Sequence, residues 1–484
     1  MSNRTTRHRE IVCATVLSVV LLAVCCALGV TPASNPQTQP ASGPFKVAAS
    51  RGAKPLPCGV NAPTHKAYQD AENRWYQNHV VEAYQKLGRR SPAWDDTVVQ
   101  MLNMTSSLID VDFTVAQTQV GLANKAIDAG CDDPLVLFHH ARAQRIGGAV
   151  SSTDFRQAIQ ALRQSPYPKS LTSWAMVWLY GRLTQDQKEE EAAAELEGQL
   201  LDDLCAAIRS GDFEPGQKRV LLHYVESGLQ CMKTGKATLY QRVAAMEDGE
   251  PWVRQVLAGN LCINLAWEAR GGGWAYKVTQ EGWEGFRKNM ATARKHLLKA
   301  CELSPDAPEG PSAMIPLAMA DPAGPDDTPR YWFDRAVAAQ FNYIPAYSSL
   351  LWSLRPRWGG SHDAMYKFGL ECAATQRYDT NVPRQLFEAL RGIADDYQND
   401  WGEVLSNESI YQQVQQMLDG YLRTGQDRKG ILSTKLGLAV LGSRWEDAAT
   451  LLPQLSGPPS EEALAYLATN AHEVMKAIEA HKMP

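Results

Sequence analysis

From about Ala62 onward, apolar residues recur at spacings of three and four, and strict alternation is scarce. That period puts side chains on one stripe of an α-helix, whereas a half-buried strand repeats every second residue. The clearest stripe is Gln280–Leu303, where Phe286, Met290, Ala293, Leu297 and Ala300 share a face and Lys295 and Lys299 fall opposite. Thr279 is placed to cap its start, Glu281 sits near the positive end of its dipole, and Ser304-Pro305 ends it. Elsewhere the stripes stop at turn signals: Asp132-Asp133-Pro134, Ser165-Pro166-Tyr167-Pro168, Gly211–Pro215 and Gly457-Pro458-Pro459. Helices of about 10–20 residues joined by short turns predict an all-α fold of stacked antiparallel helix pairs.

Some of these stripes repeat. Ala293–Pro305 resembles the second helix of a tetratricopeptide repeat, and Tyr331–Ala336 running into Tyr343–Tyr347 is a weaker echo. Ala300 and Ala336 lie 36 residues apart, close to the roughly 34 residues of that repeat class. Leu438–Leu452 and Leu122–Ala143 have a similar small-residue texture. The expectation is a tetratricopeptide-like solenoid, whose units bury their apolar faces by stacking and leave a concave groove.

Two breaks interrupt the stripes: Ala269-Arg-Gly-Gly-Gly-Trp-Ala275 and Leu354-Arg-Pro-Arg-Trp-Gly-Gly-Ser-His362. Together with Leu265–Ala269 and Val278–Phe286, these blocks resemble the domain-of-unknown-function 4034 family of bacterial helical proteins, over roughly Leu200–Asp396. The resemblance implies a helical, repeat-like domain of the kind found in exported or envelope-associated proteins. It brings no established catalytic residue and no cofactor.

The N-terminus changes the picture of where such a domain works. Arg4, Arg7 and Arg9 precede Ile11–Val30, twenty uncharged residues that as a helix would span about 30 Å, a bilayer core. The positive flank keeps the N-terminus cytoplasmic and exports the rest of the chain, to the periplasm or the outer side of the cytoplasmic membrane. The segment reads equally as a cleaved signal peptide or a retained transmembrane anchor, with a lipoprotein at Cys25-Cys26 behind both. Residues 31–57 read as a disordered linker rich in proline and serine. The expected divisions are thus 1–30, 31–57, an N-terminal helical region 58–199, the family-like domain 200–396, and C-terminal helical repeats 397–484.

Apolar residues make up 44% of the 484 and charged residues 21%, with a net charge of −5. That is enough to bury a core, and mild acidity without a basic cluster argues against a nucleic-acid partner. Seven of the ten cysteines lie scattered beyond the N-terminal run, which is not a disulfide framework. A single Cys58–Cys131 bridge is conceivable, and Cys262, Cys301 and Cys372 read as buried thiols on apolar faces.

Candidate chemistry is sparse. Arg355, Arg357, Trp358 and His362 can be read as a recognition loop, with two guanidiniums for an anion, an indole plate and an acid or base. Packing accounts for the same stretch: Pro356 stops a helix, Gly359 and Gly360 make the turn, Ser361 caps the next helix, and Met365, Phe368, Gly369 and Cys372 form its inner face. Packing is the preferred reading there and at Ala269–Ala275, where no Walker pattern or preceding strand supports a nucleotide loop. Trp274 and Trp358 are the tryptophans best placed to bind, because they lie in breaks. His139-His140 is not spaced as a metal pair, and no zinc or hydrolase signature occurs, so no metal, cofactor or catalytic residue is assigned. Asp395 and Asp396 read as members of a solvated helix face.

Two functions stand as expectations. One is an exported helical-repeat scaffold that binds a protein or peptide partner, touching it through Trp274, Arg355, Arg357, Trp358 and His362. The other is a glycan-binding or glycan-acting envelope protein, for which an aromatic cleft holding two carboxylates about 5–10 Å apart would argue.

Overall fold

The computed structural model describes residues 56, 64–106, 113–146, 152–185, 190–232, 235–273, 275–425 and 427–481. The N-terminal segment, the linker apart from Leu56, and Trp274 lie outside the described residues. Within them every regular element is a helix and none is a strand, so the fold is all-α. No described helix is long and apolar enough to cross a membrane.

The helices fall into two compact units divided between Leu317 and Ala318, inside the 200–396 stretch. Unit 1 begins with α1 (Lys66–Tyr76), α2 (Glu82–Leu87), α3 (Asp95–Leu102) and α4 (Phe113–Asp128). It continues through α5 (Pro134–Ile146), α6 (Ser152–Arg163), α7 (Lys169–Gln185) and α8 (Glu190–Arg209). Then come α9 (Lys218–Cys231), α10 (Lys236–Ala244), α11 (Pro251–Arg270) and α12 (Gln280–Leu303), with α13 (Glu309–Ala320) crossing the division. Unit 2 holds α14 (Pro329–Ala339), α15 (Ile344–Ser353), α16 (His362–Ala373), α17 (Gln385–Asp396) and α18 (Trp401–Leu405). It ends with α19 (Glu408–Arg423), α20 (Arg428–Leu441), α21 (Trp445–Leu451), α22 (Glu461–Ala465) and α23 (Ala471–Ala480).

Successive helices pack in pairs, and the most extensive pair is α11 with α12. The apolar stripe of α12 explains why. Phe286, Met290, Ala293, Leu297 and Ala300 are all buried, and burying a large apolar side chain contributes about 1.5–3 kcal/mol. Thr279 Oγ1 accepts the Gly282 N–H at 3.0 Å and so satisfies one donor of the first turn.

In unit 1 the array also turns back on itself. Besides its neighbours in sequence, α9 packs on α1 and α7. A linear stack touches only adjacent repeats, whereas here the Trp75 ring meets Tyr224 edge-on at 4.9 Å and stacks on Phe213 at 5.6 Å. Aromatics spaced far apart in the chain thus share one core, which also contains Phe138, Trp174 and Tyr76. Cys131, Cys205, Cys262, Cys301 and Cys372 are buried free thiols, so Cys131 makes no bridge.

Candidate functional site

The break before α16 is built largely as packing requires. Leu354 ends α15, and Pro356–Trp358 form one 3-10 turn. Gly359 takes φ +87°, and a Cβ on Gly360 would come within 2.0 Å of the Leu354 carbonyl oxygen, so both positions need glycine. Ser361 Oγ accepts the Ala364 N–H at 3.1 Å and starts α16, whose Met365, Phe368, Gly369 and Cys372 face inward.

This short path brings Arg355, Arg357, Trp358 and His362 onto the end of α17. Arg357 donates to Asp396 Oδ1 at 3.0 Å, and the His362 Nε2 to Asp396 Oδ2 distance is 3.1 Å. Arg355 donates to the Gly392 carbonyl at 3.1 Å and to Asp395 at 3.2 Å, and its other nitrogen lies 3.7 Å from Asp396. Both guanidiniums sit 5.2 Å from the Trp352 ring centre, and Trp358 lies tilted against Trp352 at 6.2 Å. Asp396 is the hub, with its side chain 8% exposed. Burial alone would raise its carboxyl pKa, but the His362 hydrogen bond and the Arg355 and Arg357 charges bring it below the usual carboxylate range.

Asp396 therefore does not belong to a solvated face. Its partners lie 34 to 41 residues earlier, and nothing local in Ala394-Asp-Asp-Tyr397 signals them. The two arginines that read as anion ligands already hold a carboxylate of their own chain. Of the candidate binding residues, Trp274 lies outside the described residues and the other four form this cluster.

A second polar cluster, on α9, has no sequence signature at all. Arg219, His223 and Glu226 share one face at spacings of four and three. Arg219 Nε donates to Glu309 Oε1 at 2.6 Å, and its guanidinium lies 5.5 Å from the Tyr68 ring centre. The Tyr68 and His223 rings meet edge-on at 6.0 Å. Glu226 Oε1 accepts the Asn260 amide at 2.6 Å. Burial raises the Glu226 carboxyl to about 7, the Asn260 hydrogen bond opposes that rise, and Glu309 adds to it. Burial also lowers His223 to about 4, with Arg219 acting the same way. A carboxyl titrating near neutrality beside an ion-paired carboxylate can exchange a proton.

The third feature is a cleft of about 490 Å³ in unit 2, between α16, the Gln376–Tyr378 turn and α19. Gln413, Gln416, Met417, Asp419 and Arg423 line it from α19, and Leu370, Ala373, Ala374, Gln376 and Tyr378 from the other side. Its shape depends on Gly420, where a Cβ would fall 2.0 Å from Tyr378 Cζ. Without that atom the Tyr378 ring can rest on α19, edge-on to Tyr421 at 5.2 Å. Asp419 is the one carboxylate of the lining and is ion-paired with Lys435. Among the described residues no group of three His, Cys, Asp or Glu side chains is placed to hold a metal ion.

Compared with known proteins, the chain matches no family model, and no curated protein or solved structure matches it significantly.

Proposed function

We propose that the protein is a tetratricopeptide-like helical scaffold whose unit 2 cleft takes an extended peptide segment of a partner protein. The observation that carries this reading is the row of Gln413, Gln416 and Arg423 along one open side of α19, facing Gln376 and Tyr378. Side-chain amides donate and accept at once, which suits an extended backbone whose own N–H and C=O groups need partners. Tyr378 and Met417 offer apolar contact for side chains, and the exposed Arg423 suits an acidic residue. Export, by cleavage or with a retained anchor, belongs to the same proposal and rests on the Arg-flanked apolar run Ile11–Val30. Kinship with the domain-of-unknown-function 4034 family rests likewise on the two glycine-tryptophan breaks.

The test is a photo-crosslinking side chain at Gln413, compared with one at Lys288 on α12. One partner should be captured from Gln413 and not from Lys288. A peptide from the crosslinked segment should then bind the purified chain and lose at least tenfold in affinity to Gly420→Ala and Arg423→Glu. Binding unchanged in both variants would sink the cleft assignment.

A second reading, a glycan-acting protein, is favoured by two neighbouring carboxyls, Glu226 of α9 and Glu309 of α13, with Arg219 linking Glu309 to the Tyr68 ring of α1. On that reading Glu226→Gln abolishes release of reducing ends from an envelope polysaccharide while leaving the melting temperature in place. No release by the unaltered chain would dismiss it.

A further inference from the structure

Gln413, Gln416, Gly420 and Arg423 follow one another along α19 at spacings of three, four and three, so they lie on one stripe of that helix. The three with side chains line the unit 2 cleft. Gln413 and Arg423 are ten residues apart, a run of about 15 Å along the helix axis. An extended chain covers that length in about four to five residues, at about 3.3 Å each. Met417 lies between the two ends, with Leu370 and Ala373 on the facing wall. Its unbranched thioether adapts to an apolar side chain without fixing its shape.

Charge distinguishes the two ends of this run. The exposed Arg423 side chain has neither an ion pair nor a hydrogen bond among the described residues. Asp419, one turn earlier, is already paired with the largely buried Lys435 of α20. That pair is neutral as a whole, which leaves one uncompensated positive charge at this end, while Gln413 at the other end is neutral. Tyr378 rests against Gly420, and its hydroxyl feels both charges. Burial raises its pKa, Arg423 opposes the rise and Asp419 adds to it. One carboxylate brought to Arg423 is therefore complemented, whereas a second would meet Asp419 with no cation of its own.

The facing wall adds a strained residue. Gln376 holds φ +53°, in the left-handed region that favours glycine. The turn after α16 is closed around it: the Gln376 N–H donates to the Ala373 carbonyl at 3.1 Å, and the Tyr378 N–H to the Gln376 carbonyl at 2.8 Å. Glycine adopts this angle freely and is the usual residue just past a helix. Of the six non-glycine residues with positive φ among the described residues, Gln376 is the one that lines the cleft. Its exposed amide makes no hydrogen bond to the described residues, so nothing within the fold accounts for an amide at this angle. Resting on the reading of this cleft as a peptide site, we propose that its occupant is an extended segment of about four to five residues with a single carboxylate, which pairs with Arg423. The Gln376 amide is the specificity-determining group that holds the segment's backbone from the facing wall.

The experiment measures Kd by fluorescence polarisation on the full chain, with pentapeptide pools that carry an uncharged fluorophore and a blocked C-terminus. Each pool has one leucine among serine, threonine and alanine, together with no acid, one glutamate, two glutamates or one lysine. The one-glutamate pool should bind roughly tenfold tighter than the neutral and lysine pools, and the two-glutamate pool no tighter than that. A further pool, without acidic side chains but with a free C-terminus, tells a terminal carboxylate from a side-chain one. Either source fits the proposal when its advantage disappears in Arg423→Glu, which should favour the lysine pool instead. Gln376→Gly should leave Tm unchanged or raise it while weakening the one-glutamate pool roughly fivefold. Gln376→Asn, an amide that tolerates the same φ, should recover part of that loss. Both positions are exposed, and melting curves check that each variant is folded. Pools that bind regardless of charge, or a second glutamate that adds as much as the first, would overturn the proposal while leaving the cleft a peptide site. So would full affinity in Gln376→Gly, or a glutamate preference that persists in Arg423→Glu. Binding by no pool would overturn the peptide reading itself, and the proposal with it.

Discussion

Asp396 in unit 2 and Arg142 on α5 of unit 1 are both charges withdrawn from water, and they are compensated in opposite ways. Around Asp396 the chain supplies two guanidiniums and an imidazole, all within hydrogen-bonding or ion-pairing reach. Around Arg142 it supplies ring faces and phenols, and among the described residues the guanidinium N–H groups have no acceptor. A cluster that satisfies its own charges is a structural clamp, here joining the α15–α16 turn to α17. A buried charge left with unused donors is a cost to stability. The two arginine sites thus differ in what they still lack, a difference invisible in the residue types alone.

The largest expected effect tests the clamp. Asp396→Ala leaves Arg357, His362 and the largely buried Arg355 without their shared counter-charge and should cost about 3–5 kcal/mol of unit 2 stability, read by urea unfolding. A loss below about 1 kcal/mol, the level of an exposed pair, would mean that the cluster holds nothing together. Arg142→Met tests the other side of the contrast with the opposite sign. The apolar replacement should be neutral or stabilise unit 1 by about 1–3 kcal/mol. A destabilisation as large as that of Asp396→Ala would show that the ring faces compensate the charge fully.

The two regions should also part company on acidification. Burial lowers the pKa values of His139, His140, His223 and His296 in unit 1. The unfolded chain then binds more protons, so stability present above about 6.5 falls as pH drops toward the His223 value of about 4. Glu226, raised to about 7, works the other way over this window but is one group against four. Asp396 has a lowered carboxyl pKa, so its contribution is intact above about 4 and fades only as pH falls below that. Hydrogen exchange corrected for intrinsic rates should show α5 and α9 losing protection between about pH 7 and 5 while α16 and α17 hold theirs. Equal losses in both would remove the distinction. The smallest effect is a control: Lys66→Ala deletes an exposed ion pair with Asp70 and should change stability by less than about 0.5 kcal/mol.

Much of the helical framework is legible in the sequence because it is written locally. The Gln280–Leu303 stripe, its Thr279 cap and the Ser361 start of α16 each depend on residues within a turn or two. The packing account of the Leu354–His362 break is likewise carried by its own proline, glycines and serine. Pairings between distant residues are not legible. Asp396 has the look of an ordinary surface acid because its three partners come from another helix and a loop, 34 or more residues away. Glu226 and Glu309 are 83 residues apart in the chain, and neither sits in a motif. His139 lacks the spacing of a metal ligand, and no local signal marks Arg142, its neighbour at the next turn, as a buried cation.

By itself, the amino-acid sequence determined that this chain is helical, where several helices begin and end, and which stripes turn inward. Those properties follow from the 3.6-residue period, capping side chains and turn residues, all short-range in the chain. The tertiary structure decided that α1 returns to α9, that Arg355 and Arg357 are already occupied by Asp396, and that Arg142 is buried with no counter-ion among the described residues. Charge compensation depends on distances in space, and helix packing sets those distances between residues that the chain keeps far apart.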